Sequence, residues 1–122
     1  MVVTGALVLA LGVNAAEQSD RSVVKGSKAY ELDSCVEPTP VMRKLHPTFI
    51  KHQRDITVHQ GIRGAKHSLS GCVDCHAAKD AQGKYTPVNA PGQFCDSCHE
   101  YAGVEIPCFS CHATTPTGRS GE

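Results

Sequence analysis

Three five-residue units crowd into one stretch of the sequence: Cys72-Val73-Asp74-Cys75-His76, Cys95-Asp96-Ser97-Cys98-His99 and Cys108-Phe109-Ser110-Cys111-His112. Each sets two thiols apart by two residues and puts an imidazole directly after the second. Two thiols at that spacing can add to the two vinyl groups of one porphyrin, and the adjoining His then turns onto the iron as proximal ligand. Other chemistries use Cys-x-x-Cys pairs too. The pairs 72/75 and 95/98 are separated by 19 residues, a zinc-ribbon spacing. A zinc ribbon, however, has no need of a His after each pair and leaves the third pair unexplained. A scaffold of disulfides has no use for three identically placed His, and a thioredoxin-like redox motif lacks its βαβ surroundings. Three repeats within 41 residues therefore predict three covalent haem c groups, held by Cys72, Cys75 and His76, by Cys95, Cys98 and His99, and by Cys108, Cys111 and His112.

The intervals carry further information. Eighteen residues separate His76 from Cys95 and only eight separate His99 from Cys108, so the last two motifs lie within at most ~27 Å of extended chain. Porphyrins on such short tethers pack against one another, which suits stepwise electron transfer and supplies apolar core. Three irons with one His each have three coordination positions to fill. Outside the motifs and the leader the candidates are His46, His52, His59, His67, Met42 and Cys35, all upstream of the first motif. The N-terminal segment is thus expected to fold back over the haems. Taken on residues alone, Cys35 reads equally as an apolar thiol or a partner for an intermolecular disulfide, and Met42 as packing. His67, five residues before Cys72, has limited reach.

The rest of the chain must position these groups with little material. Of 122 residues 40% are hydrophobic but only 5% aromatic, with no Trp, so the haems have to serve as core. The expected class is a small multihaem cytochrome c, mainly irregular, with a few short α-helices and no significant sheet. Three segments are expected. Residues 1–16 contain the uncharged run Val2 to Val13 followed by small residues, which reads as an export signal or membrane anchor. Residues 17–34 are polar and read as a linker, and residues 35–122 as the haem-bearing domain. Pro47 stands where a helix could begin, and Thr48 to His59 runs free of Gly and Pro until Gly61. On that helix Phe49, His52, Ile56 and His59 share a face.

Charge excludes some functions. The formal net charge is zero, and the basic run from Arg43 to Lys66 holds the single aromatic Phe49, not the interleaved series that nucleic-acid grooves use. Its cations suit haem propionates. No hydrolytic triad, paired carboxylates or phosphate loop is recognisable.

One combination of these features resembles a known family. The apolar leader, Cys35-Val36-Glu37-Pro38-Thr39 with Met42-Arg43 and His46, Arg54 to His59 with Gly61-Ile62-Arg63, and the three motifs together resemble DsrJ, the triheme cytochrome c subunit of the DsrMKJOP membrane complex of dissimilatory sulfur metabolism. The resemblance spans about residues 35 to 112. It implies one His/His, one His/Met and one His/Cys haem, with Cys35 and Met42 as distal ligands and a distal His ranked His59, then His46, then His52. It also implies a leader retained as an inner-membrane anchor, a periplasmic location, and membrane and periplasmic subunits of such a complex as partners. A thiolate ligand stabilises ferric iron and lowers the potential of its haem. The expected function is electron transfer, the alternative a redox site acting on a sulfur species at the Cys35-ligated haem.

Overall fold

The structure, a computed structural model, describes residues 23–33 and 35–118. The leader 1–16 lies outside the described residues.

Helix α1 (Thr39–Gln60) starts with Pro38 as N-cap and Pro40 in the first turn, where a fixed φ and a missing N–H cost nothing. It stops at Gly61, whose φ of 69° is left-handed and whose N–H bonds the Thr57 carbonyl at 3.0 Å. The stop matches the sequence reading and the start does not, because α1 begins nine residues before Thr48 and runs through Pro47. Pro40 is an equally good starter, and Pro47 removes only the one helical bond to the Arg43 carbonyl. The earlier start also shifts the inward face. Met42, His46, Phe49, Gln53 and Ile56 recur at steps of four and three, and all are half-buried or buried, while His52 and His59 are exposed on the flank. Gln53, the buried residue among them, donates to Thr57 Oγ1 at 3.0 Å and to the Ile62 carbonyl at 3.4 Å, tying the helix end to the following loop.

Two short helices follow. In α2 (Leu69–His76) the N-cap Ser68 accepts from the Gly71 N–H at 3.2 Å, a contact typically worth about 1 kcal/mol. Helix α3 (Phe94–Ala102) ends at Gly103, again left-handed with φ 64°. Single 3-10 turns occupy Lys28–Glu31 and Pro107–Ser110. Between α2 and α3 the chain doubles back through a turn in which Asp80 Oδ1 accepts from the N–H groups of Gln82 and Lys84, closed by an isolated Lys79–Tyr85 bridge. No strand occurs among the described residues, so the expected class, helical and irregular without a sheet, is what the fold shows.

The core is small. Val73, Ala77 and Val88 are buried together, with Tyr85, Cys95 and Phe109 packed on them. Val58, Leu32, Val104 and Tyr101 are exposed. Part of the stretch read as a linker is packed against α2: Ser27 is buried, Lys28 pairs with Asp74 at 2.6 Å, and Lys79 N–H bonds the Gly26 carbonyl at 3.1 Å. Gly26 has φ 90°, and a Cβ there would lie 2.8 Å from the Lys79 carbonyl oxygen, so only glycine fits. No helix among the described residues is long and apolar enough to cross a membrane.

Candidate metal centre

Each motif is carried by a helical turn. The first occupies the last five residues of α2, where Cys72 and Cys75, three apart, share a face. Burial pushes the Cys72 thiol up to about 11, with Cys35 and Cys75 adding to the effect, so it is a neutral thiol at pH 7. His76 is buried at the end of the helix, and burial pulls its imidazole down to about 4, leaving it neutral with a free lone pair, the form a metal binds. Its ring stacks on Phe94, with centroids 3.6 Å apart and planes 14° from parallel. Its Nδ1 is buried without a hydrogen-bond partner.

Across from His76 stands Cys35, with Sγ 4.0 Å from Nε2. That is long for a hydrogen bond and close to the sum of a metal–nitrogen bond of about 2.0 Å and a metal–sulfur bond of about 2.3 Å. The Cys35 segment is anchored through Glu37, whose Oε1 accepts from Lys66 Nζ at 2.5 Å and pairs with His67 Nε2 at 3.1 Å. These hydrogen bonds, Lys66 first, hold the Glu37 carboxyl below its usual range. His67 in turn stacks on Phe49 of α1, with centroids 4.3 Å apart and planes 8° from parallel.

The second motif opens α3. Burial also drives Cys95 up to about 11, with Cys72 and Cys108 as lesser causes. His99 Nδ1 lies 3.2 Å from the Val104 carbonyl, and His46 Nδ1 lies 3.1 Å from the Met42 carbonyl. With protons on those nitrogens, each ring donates to backbone and keeps Nε2 free for a metal. The two rings face each other edge-on, centroids 6.1 Å apart at 71°. Two metal–nitrogen bonds of about 2.0 Å plus the half-width of each ring span roughly the same distance.

The third motif has less support. Cys108 lies in the turn Pro107–Ser110, Cys111 caps it, and the His112 N–H bonds the Cys108 carbonyl at 3.0 Å. The His112 ring is exposed beside a shallow depression lined by Leu69, Val73, Thr115 and Pro116.

The structure therefore brings Cys35 to His76 and His46 to His99. His52 and His59 stand exposed on the flank of α1, and Met42 is half-buried one turn before His46. Among the described residues no three of His, Cys, Asp and Glu converge on a cage for a bare ion. The donors come instead as facing pairs, Cys35 with His76 and His46 with His99, which suits haem iron, to which such pairs would supply the protein ligands. All seven thiols are unpaired. Sequence reasoning counted Lys66 among the cations for haem propionates, whereas here it pairs with Glu37, and it assigned no role to Glu37 or Phe94. Only the position of Glu37, two residues after Cys35, hinted at its part.

No family model and no solved structure matches the chain. Over 83 residues, 66% of this chain, it is 28% identical to the Hdr-like menaquinol oxidoreductase cytochrome c subunit of Archaeoglobus fulgidus. The match spans 57% of that relative's length.

Proposed function

We propose that the chain is an exported electron-transfer subunit carrying three covalent haem c groups. The observation that carries the reading is the facing of motif imidazoles by second donors, Cys35 at 4.0 Å from His76 and His46 ring-to-ring with His99, in a chain that repeats the attachment motif three times. Bound haem supplies reversible one-electron exchange at iron. The chain's residues do the rest. The pairs 72/75, 95/98 and 108/111 hold the porphyrins through thioethers, and His76, His99 and His112 are the proximal ligands. Cys35 completes the first centre and His46 the second, while Met42 is the remaining candidate for the third. Phe94 keeps water from one side of His76.

The partners follow from similarity. The relative in Archaeoglobus fulgidus is named as a subunit of a menaquinol oxidoreductase, which supports membrane-complex partners and a quinol-linked electron path. The likeness to DsrJ supports a complex of sulfur metabolism and a periplasmic domain tethered by the apolar leader. The test is chemical. The mature protein, unfolded and freed of loosely held ligands, is expected to keep iron-porphyrin absorbance and an intact mass equal to the polypeptide plus three haems. Bare polypeptide mass would end the proposal.

A second reading rests on the exposure of Cys35 beside a buried His76, which leaves that sulfur within reach of a small sulfur compound. Cys35→Ser separates the two. Electron transfer predicts a shifted potential with electron flow kept, and sulfur chemistry predicts turnover lost while the other haems stay intact.

A further inference from the structure

Glu37 is placed oddly for a surface carboxylate. It sits on a stretch without regular structure, between exposed Val36 and exposed Pro38, yet its own side chain is only 24% exposed and takes bonds from two residues 29 and 30 positions away. Those two residues, Lys66 and His67, directly precede Ser68, the N-cap of α2. The far end of α2 is His76. The donor that faces His76 is Cys35, two residues from Glu37. The carboxylate thus fastens the Cys35 segment to the start of the same eight-residue helix whose end presents the imidazole. Stacking of His67 on Phe49 couples this attachment to α1.

We infer that Glu37, gripped by Lys66 and His67, is a positioning residue that sets the Cys35 sulfur at ligand distance from His76. The inference rests on the proposed reading of Cys35 as distal ligand. A thiol on an exposed, irregular segment has many places to be, and confining it to one costs conformational entropy. Two bonds to a carboxylate, one of them from the Lys66 amine, offset that cost at the helix start. Ligand groups are routinely held by such outer contacts, whose loss weakens the site without removing a ligand. Leu32 and Val36, the apolar residues flanking Cys35, are exposed, and no other salt bridge among the described residues involves residues 32–38.

The experiment is low-temperature electron paramagnetic resonance of the oxidised, haem-loaded full chain, with haem content measured on the same samples. Glu37→Ala is expected to remove most of the thiolate-ligated low-spin signal and replace it with a high-spin or differently ligated one, leaving haem content and the other signals unchanged. Lys66→Met should act in the same direction more weakly, and Lys66→Arg, which keeps the cation, should restore the parent spectrum. A thiolate signal of parental size in Glu37→Ala overturns the positioning role when Cys35→Ser abolishes that signal. A spectrum unchanged in Cys35→Ser overturns the ligand reading itself, and the positioning role with it. Loss of all three signals in both Glu37→Ala and Lys66→Met would make the cluster a general fold contact and equally overturn the inference.

Discussion

The first and third motifs share a five-residue pattern and sit in opposite surroundings. Cys72–His76 ends a capped helix, with Val73 and His76 buried, Phe94 stacked on the imidazole, and residues 23–31 packed alongside through Ser27 and Lys28. Cys108–His112 rests on one 3-10 turn, with Cys111 and His112 exposed. The polypeptide alone preorganises the first site. The third has Phe109 packed on the core and little else. Attachment at the third site must therefore supply more of its own order, and the two should respond differently to damage.

The sharpest way to break that contrast is to delete the thiols. Cys72→Ser with Cys75→Ser is expected to remove one of the proposed haems and also to cut the yield of folded protein severely, because the two thiols flank buried Val73 and adjoin buried His76 in the small core. Cys108→Ser with Cys111→Ser should remove one haem while the remaining two keep their spectra. Intact mass and visible absorbance read both outcomes. Equal loss of fold in the two variants would end the distinction.

A second test concerns the middle motif. His46→Ala should change the spectrum of the haem proposed at Cys95, Cys98 and His99, since the two rings face each other at 6.1 Å. His59→Ala, on the exposed flank of α1, should leave all spectra unchanged. The reverse result would favour His59, the residue that the likeness to DsrJ ranks first.

Local pattern conveyed some of the fold. The thin supply of core, the lack of a sheet and the glycine stop of α1 were legible, because each depends on residue type or near neighbours. The inward face of α1 was not. It depends on whether Pro40 or Pro47 starts the helix, and either proline is compatible with a first turn. Moving the start adds Met42 and His46 to the buried stripe and turns His52 and His59 aside. The Glu37 contacts and the Lys28–Asp74 pair join residues 29 to 46 positions apart, and no periodicity announces contacts of that range. His67, dismissed for short reach toward iron, has a place after all, as a partner of Glu37.

Backbone strain sharpens the comparison further. Gly26→Ala forces a left-handed residue at φ 90° to carry a Cβ 2.8 Å from a backbone oxygen that cannot swing away. A loss of about 2 to 3 kcal/mol is expected from strain and clash together. Gly83, at φ 78° in the exposed turn, has open space around a Cβ, so Gly83→Ala should cost only about 1 kcal/mol. In thermal unfolding each kcal/mol corresponds to roughly 4 to 8 °C for a domain of this size. Equal shifts would mean that residues 23–31 are not part of the folded unit.

The smallest effect is electrostatic and has a definite sign. The hydrogen bond to Asp74 raises the Lys28 pKa above its ordinary 10.5, followed in weight by opposing desolvation and then by the Asp74 charge. A group whose folded pKa is raised binds its proton more tightly in the folded chain. Its contribution is therefore complete below the unfolded pKa and disappears as pH climbs through the folded value. Parent and Lys28→Met should differ slightly in unfolding midpoint at pH 8 and converge as pH climbs through the raised lysine range. The pair is exposed on the lysine side, so added salt should also shrink the difference. No salt bridge among the described residues touches 107–112, so no brace of this kind supports the third motif. A difference between parent and Lys28→Met that grew with pH would place Lys28 away from Asp74 in solution and remove one of the braces that set the first motif apart.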